Sequence, residues 1–200
     1  IKTENGIYLN WRISVDEFKN AGYNLYRDGI KINNEVITGA SNFTDNSGTI
    51  SSSYYVTTIA NGAEQRALKA VNVWDYPYFD IPVRDLGDAY EINDASTGDL
   101  DGDGDYEIVV KRLVIQNTIE STIYHYLEAY HLDGTFMWAI NLGPNIYNKV
   151  EVNFLVYDLD GDGKAEVATR TSEGTIDGLG NMIKDTDGDG KTNYRSSIAA

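Results

Sequence analysis

Apolar and polar residues alternate in short runs along the first third of the chain: Ile7–Ile13, Gly22–Arg27, Ile30–Ile32, Tyr54–Ile59 and Ala67–Val73. Period-two alternation over such lengths marks strands with one buried face. The turn pairs Asp28-Gly29, Asn33-Asn34 and Asn61-Gly62 lie between runs, so a small β-sandwich is expected here. Residues 77–94 hold two of the three prolines and little periodicity, which predicts a connection between domains. Further on come Tyr106–Val114, Thr122–His131, Thr135–Asn141 and Val150–Tyr157, with Leu132-Asp133-Gly134 as a hairpin turn between the second and third. The pattern predicts an all-β chain: a sandwich over 1–76, a linker over 77–94 and a second domain over 95–200.

The second domain repeats. One Asp-rich loop begins at Asp99 and another at Asp158, 158 − 99 = 59 residues later, and strand-like runs follow at once, Tyr106–Lys111 and Ala165–Arg170. A period of this length containing four strands predicts a β-propeller blade. One full blade and the opening of the next cannot close a ring of at least about four blades. The chain is therefore expected to be a piece of a longer protein, or to contact missing blades supplied by other chains.

The loops carry the chemistry. Loop one places carboxylates at Asp99, Asp101, Asp103 and Glu107, positions 1, 3, 5 and 9, with Asp105 at position 7 offering its backbone carbonyl. Loop two repeats this with Asp158, Asp160, Asp162, Lys164 and Glu166; loop three has Asp185, Asp187, Asp189, Lys191 and Asn193. Alternation by two turns three oxygens toward one point, and glycine at position 6 permits the bend. Oxygen donors without His or Cys favour Ca2+ over zinc, and the crowded, flexible sphere suits calcium better than magnesium. Position 12 is Val110, Thr169 or Ser196, not the bidentate Glu of an EF-hand. Without a cation, carboxylates packed this closely repel one another.

Composition narrows the partners. Hydrophobic residues at 42% and charged residues at 24% describe an ordinary globular chain, and no apolar run approaches the ~18 residues of a membrane helix. The formal charge is −15; three divalent ions would bring it to −15 + 6 = −9, which disfavours nucleic acid. With no cysteine, disulfide and thiolate chemistry are excluded. No leader precedes Ile1, so a mature form is expected. Calcium loops of modest affinity suit a secreted, periplasmic or cell-surface setting.

Two resemblances sharpen these expectations. Trp11, the segment Gly22-Tyr23-Asn24-Leu25-Tyr26-Arg27-Asp28-Gly29, and Phe43-Thr44-Asp45 with Tyr54-Tyr55-Val56 resemble a fibronectin type III module, usually a scaffold. The segments running from Gly98 to Lys111, from Leu127 to Gly143 and from Val156 to Ala168 resemble the rhamnogalacturonan lyases of the eight-bladed calcium propeller type, polysaccharide lyase family 11. That resemblance implies a secreted bacterial enzyme acting on pectin-type acidic polysaccharide by β-elimination. It assigns no catalytic base here. Lys111 and Arg170 hold matching basic positions after the two loop strands and are expected to face the substrate groove. His125 and His131 lie six residues apart on one expected strand, ~20 Å and too far to share an ion; both are expected at the surface. The alternative to a lyase is a non-catalytic, calcium-stabilised propeller for glycan binding or adhesion.

Overall fold

The computed structural model describes residues 1–13, 21–65, 69–78, 80–149 and 152–198. The chain forms two units, Ile1–Asp80 and Ile81–Ala200. Apart from one helical turn the described residues are all-β.

In the first unit the alternating runs become β1 (Lys2–Thr3), β2 (Gly6–Asn10), β3 (Gly22–Arg27), β4 (Ile30–Lys31), β5 (Asn42–Asp45), β6 (Ser53–Ala60), β7 (Ala63–Glu64) and β8 (Val71–Asn72). One antiparallel sheet has the order β1-β2-β5 and the other β4-β3-β6-β7, with β8 also pairing β6. Ile7 from the first sheet and Leu25 and Tyr54 from the second are buried, and Asp45 ties the sheets together. Its Oδ2 accepts hydrogen bonds from Arg27 Nη1 at 2.6 Å and from the Tyr54 hydroxyl at 2.8 Å. Burial, and then the bond to Asp45, pushes the Tyr54 hydroxyl up to about 12. Strand β2 stops at Asn10, short of the expected Ile13. Of the expected run Ala67–Val73 only Val71–Asn72 is strand, and residues 67 and 68 lie outside the described residues.

The second unit contains β9 (Tyr90–Gly98), β10 (Glu107–Val114), β11 (Tyr126–Tyr130), β12 (Phe136–Asn141), β13 (Phe154–Tyr157), β14 (Glu166–Thr169) and the turn α1 (Arg195–Ile198). Its four-stranded antiparallel sheet has the order β12-β11-β10-β9, and β13 pairs with β14 in a two-stranded sheet. Two expectations are corrected. Residues 90–94, read as linker, belong to β9, whose polar outer residues hide the alternation. The four-strand unit also begins one strand earlier than the loops suggested: β9 supplies its first strand, and the run ending at Tyr157 pairs with β14 instead. Residues 150 and 151 of that run lie outside the described residues.

Strand β10 is buried on both faces. Val109, Leu113, Leu127, Ala129, Leu142, Ile146, Val152 and Val156 form the core around it, each large aliphatic side chain contributing about 1.5–3 kcal/mol. A two-sided strand must also bury its polar residues in pairs. Glu128, 0% exposed, accepts from Arg84 Nη2 at 2.5 Å, from the Tyr130 hydroxyl at 2.7 Å and from Arg112 Nη1 at 3.3 Å.

Candidate metal centre

Loops one and two each join antiparallel neighbours, β9 to β10 and β13 to β14, and their geometry is the same. In loop one Asp99 Oδ1 and Oδ2 accept the amides of Gly102 and Gly104 at 2.7 and 2.9 Å. Asp101 Oδ1 accepts the Asp103 amide at 3.1 Å, Asp103 Oδ1 the Asp105 amide at 2.8 Å, and Glu107 Oε2 the Leu100 amide at 2.8 Å. In loop two Asp158 takes Gly161 and Gly163, Asp160 takes Asp162, Asp162 takes Lys164, and Glu166 takes Leu159. These bonds need backbone in the left-handed region at positions 4 and 6, where φ is +83° and +92° in loop one and +79° and +93° in loop two; glycine adopts it without penalty.

Ligand atoms come together at both loops. Those of Asp99, Asp101 and Asp103 lie within 4.8 Å of one another, as do those of Asp158, Asp160 and Glu166. An all-oxygen set in which each carboxylate keeps a lone pair for an ion fits Ca2+.

Loop three repeats the bonds of Asp185 to Gly188 and Gly190, of Asp187 to Asp189 and of Asp189 to Lys191. Position 9 departs: Asn193 Oδ1 accepts the Arg195 amide at 3.1 Å. The acid facing this loop is Glu173, whose ligand atom clusters with those of Asp185 and Asp187. Bonds from Gly174 N to Ile183 O and from Ile183 N to Thr175 O, both 2.8 Å, pin the two segments together. The Thr186 hydroxyl and amide, and then the Tyr194 hydroxyl, hold the Glu173 carboxyl below its usual range. Amides of Gly190 and Gly188 do the same for Asp185. Both are thus ionised, as ligands must be. Glu173 is invisible to a local motif because it lies outside the loop; its signal was a lone acid ahead of a Gly-Thr turn.

Lys111 is 7% exposed, and its Nζ donates to Val152 O at 3.1 Å. Arg170 is exposed just after β14. His125 is not at the surface but fully buried. Its Nδ1 accepts the Val114 amide at 2.9 Å, so Nε2 carries the proton and donates to Tyr147 O at 3.1 Å. His131 is partly exposed beside loop one, with Nδ1 3.4 Å from Glu107 Oε1.

Residues 84–199 match the model of the "Rhamnogalacturonan lyase family 11, C-terminal domain", and residues 1–74 match the "Rhamnogalacturonan I lyases beta-sheet domain". The chain belongs to rhamnogalacturonan lyase family 11. Among proteins of Bacillus subtilis it is 39% identical to rhamnogalacturonan exolyase YesX over 94% of this chain, and 40% identical to rhamnogalacturonan endolyase YesW over 98% of it. It covers 33% of each, so the chain spans about a third of the length of these relatives. The crystal structure of YesW matches with a TM-score of 0.75 over 96% of this chain and 35% of that one. That of the Bacillus licheniformis family 11 lyase matches with 0.73 over 94% and 35%. The two family regions fall within the two units described above.

Proposed function

We propose that the chain is part of a secreted, calcium-dependent polysaccharide lyase that cleaves the rhamnogalacturonan backbone of pectin by β-elimination. The family 11 match over the second unit carries the reading, supported by the rhamnogalacturonan I lyase match over the first and by identities near 40% to an exolyase and an endolyase. The four-stranded sheet and the two-stranded sheet are read as one propeller blade and the opening of the next, and the first unit as a fibronectin type III-like module.

In such a reaction a base removes the C5 proton of a uronate while the C4–O bond breaks; the C4–C5 double bond forms, and the departing sugar oxygen leaves with the bonding pair and takes up a proton. A calcium ion held by the loop carboxylates would supply positive charge for the C6 carboxylate, where negative charge develops. The loop carboxylates hold the cation in a protein whose formal charge of −15 would otherwise repel a polyanion. Arg170, exposed after β14, is read as a residue that meets the substrate; the Lys111 ammonium is engaged by Val152 O. A calcium-rich setting outside the cytoplasm suits loops of this kind.

The test is incubation of the full-length protein with rhamnogalacturonan in millimolar calcium, and in chelator, following the ultraviolet absorbance of unsaturated uronate. A calcium-dependent rise is expected. A flat trace from protein that nevertheless binds the polymer would overturn the lyase reading in favour of a glycan-binding propeller.

A further inference from the structure

Three aromatic side chains stand out at the surface of the first unit. Trp74, Tyr76 and Tyr78 hold alternate positions in the segment after β8 and are 50%, 62% and 63% exposed. Single exposed aromatics are ordinary, but a group of them on one short segment marks a binding surface. The Tyr76 and Tyr78 rings stack with centroids 5.7 Å apart and planes inclined by 28°. At this exposure the pair keeps ring faces open to solvent.

The segment is held in place. The Lys2 amide donates to Trp74 O at 2.9 Å, which fastens the row to β1, and Pro77 fixes φ between the two tyrosines. Tyr and Trp have only two side-chain torsions to lose, so their rings bind at low entropic cost. The Lys2 ammonium lies 3.8 Å from Asp75 Oδ1, with both side chains more than half exposed. So loose a pair contributes little, and the ammonium is open to a second carboxylate.

A pyranose presents C–H groups on its faces, which the negative face of an aromatic ring attracts, and hydroxyls around its rim, which stay in water. Open rings flanked by an ammonium therefore suit a polymer in which deoxy sugars accompany uronates: the rings take the apolar sugar face and Lys2 the carboxylate. We infer that Trp74, Tyr76 and Tyr78, with Lys2 at their edge, form a binding strip for the rhamnogalacturonan chain, built from the first unit alone. The inference rests on rhamnogalacturonan being the polymer bound, as proposed above, and not on its cleavage.

Full-length protein is run in the cold, with calcium present, through gels containing rhamnogalacturonan. The polymer should retard the parent. Tyr76→Ala combined with Tyr78→Ala is expected to weaken the apparent affinity about tenfold or more, and Tyr76→Phe combined with Tyr78→Phe to keep it, because the ring face makes the contact. With polymer as substrate the alanine variant should show a raised KM at the parent kcat, and with the shortest oligosaccharide cleaved no change in either. Equal retardation of the parent and the alanine variant, or no retardation of the parent, would overturn the inference. Tyrosine-dependent retardation without any unsaturated uronate upholds the strip and sinks the lyase reading instead.

Discussion

Glu173 Oε1 accepts the Thr186 amide at 2.5 Å across thirteen residues of chain. It holds in loop three the place that Glu107 and Glu166 hold within their own loops, each bonded to the amide at position 2. Removing its charge removes one anionic donor from the cluster with Asp185 and Asp187. Glu173→Gln is expected to weaken calcium at loop three about tenfold, and Asn193→Ala to change it less than about threefold. Calorimetric titration of the two variants checks this; a larger effect at Asn193 would return the ninth-position role to the loop itself.

Loops one and two carry their ninth-position acid themselves, as Glu107 and Glu166, so their inner carboxylates should carry the response to calcium. Replacing Asp101 and Asp160 together by Ala is expected to bring the melting temperature in calcium down to the value of the parent in chelator, because binding to the folded state alone stabilises it. Thermal scans with and without chelator measure the difference. An undiminished calcium shift in the double variant would mean that the ions bind elsewhere.

Burial lowers the pKa of His125 below the ordinary 6.5, and the neutral ring is the form that bonds Val114 and Tyr147. Below 6.5 the unfolded chain takes up a proton that the folded chain resists. Stability from this residue is therefore present above that pH and is lost as pH falls toward the folded value. Denaturant titrations between neutral and mildly acid pH should show the decline, with a shallower slope in His125→Gln. An equal slope in the variant would assign the acid sensitivity to other groups.

Gly98 ends β9 where the two sheets of the second unit meet. A Cβ there would stand 2.7 Å from both Ala165 Cβ and Val156 Cγ1, closer than packed carbons tolerate. Gly98→Ala is expected to cost about 1–3 kcal/mol, read as a lower denaturation midpoint. No loss of stability would show that the sheets can separate at this point without penalty.

What could be read from the sequence followed the range of the interactions involved. Strand β3 matches its alternating run Gly22–Arg27 residue for residue, and the turns of loops one and two close within nine residues of chain, because both are local patterns. The start of the four-strand unit was missed because β9 carries Glu91, Asp94, Ser96 and Thr97, which disguise a strand as a connection. Lys111 looked like a surface cation, yet β10 is covered on both faces and the side chain is bonded to Val152 O. The nearness of His131 to Glu107 depends on the β10–β11 register, and that of Glu173 to Asp185 on the bonds around Ile183. Neither follows from spacing along the chain.

One backbone contact joins the repeats directly: the Ala165 amide donates to Asp99 O at 2.6 Å. Ala165 is position 8 of loop two and Asp99 is position 1 of loop one, so the strand entry of one repeat is clasped to the first candidate ligand of the other. The two loops are consequently coupled in series. Loss of an ion from either one is expected to loosen the anchor of its neighbour, so that chelation melts them together as a single cooperative step.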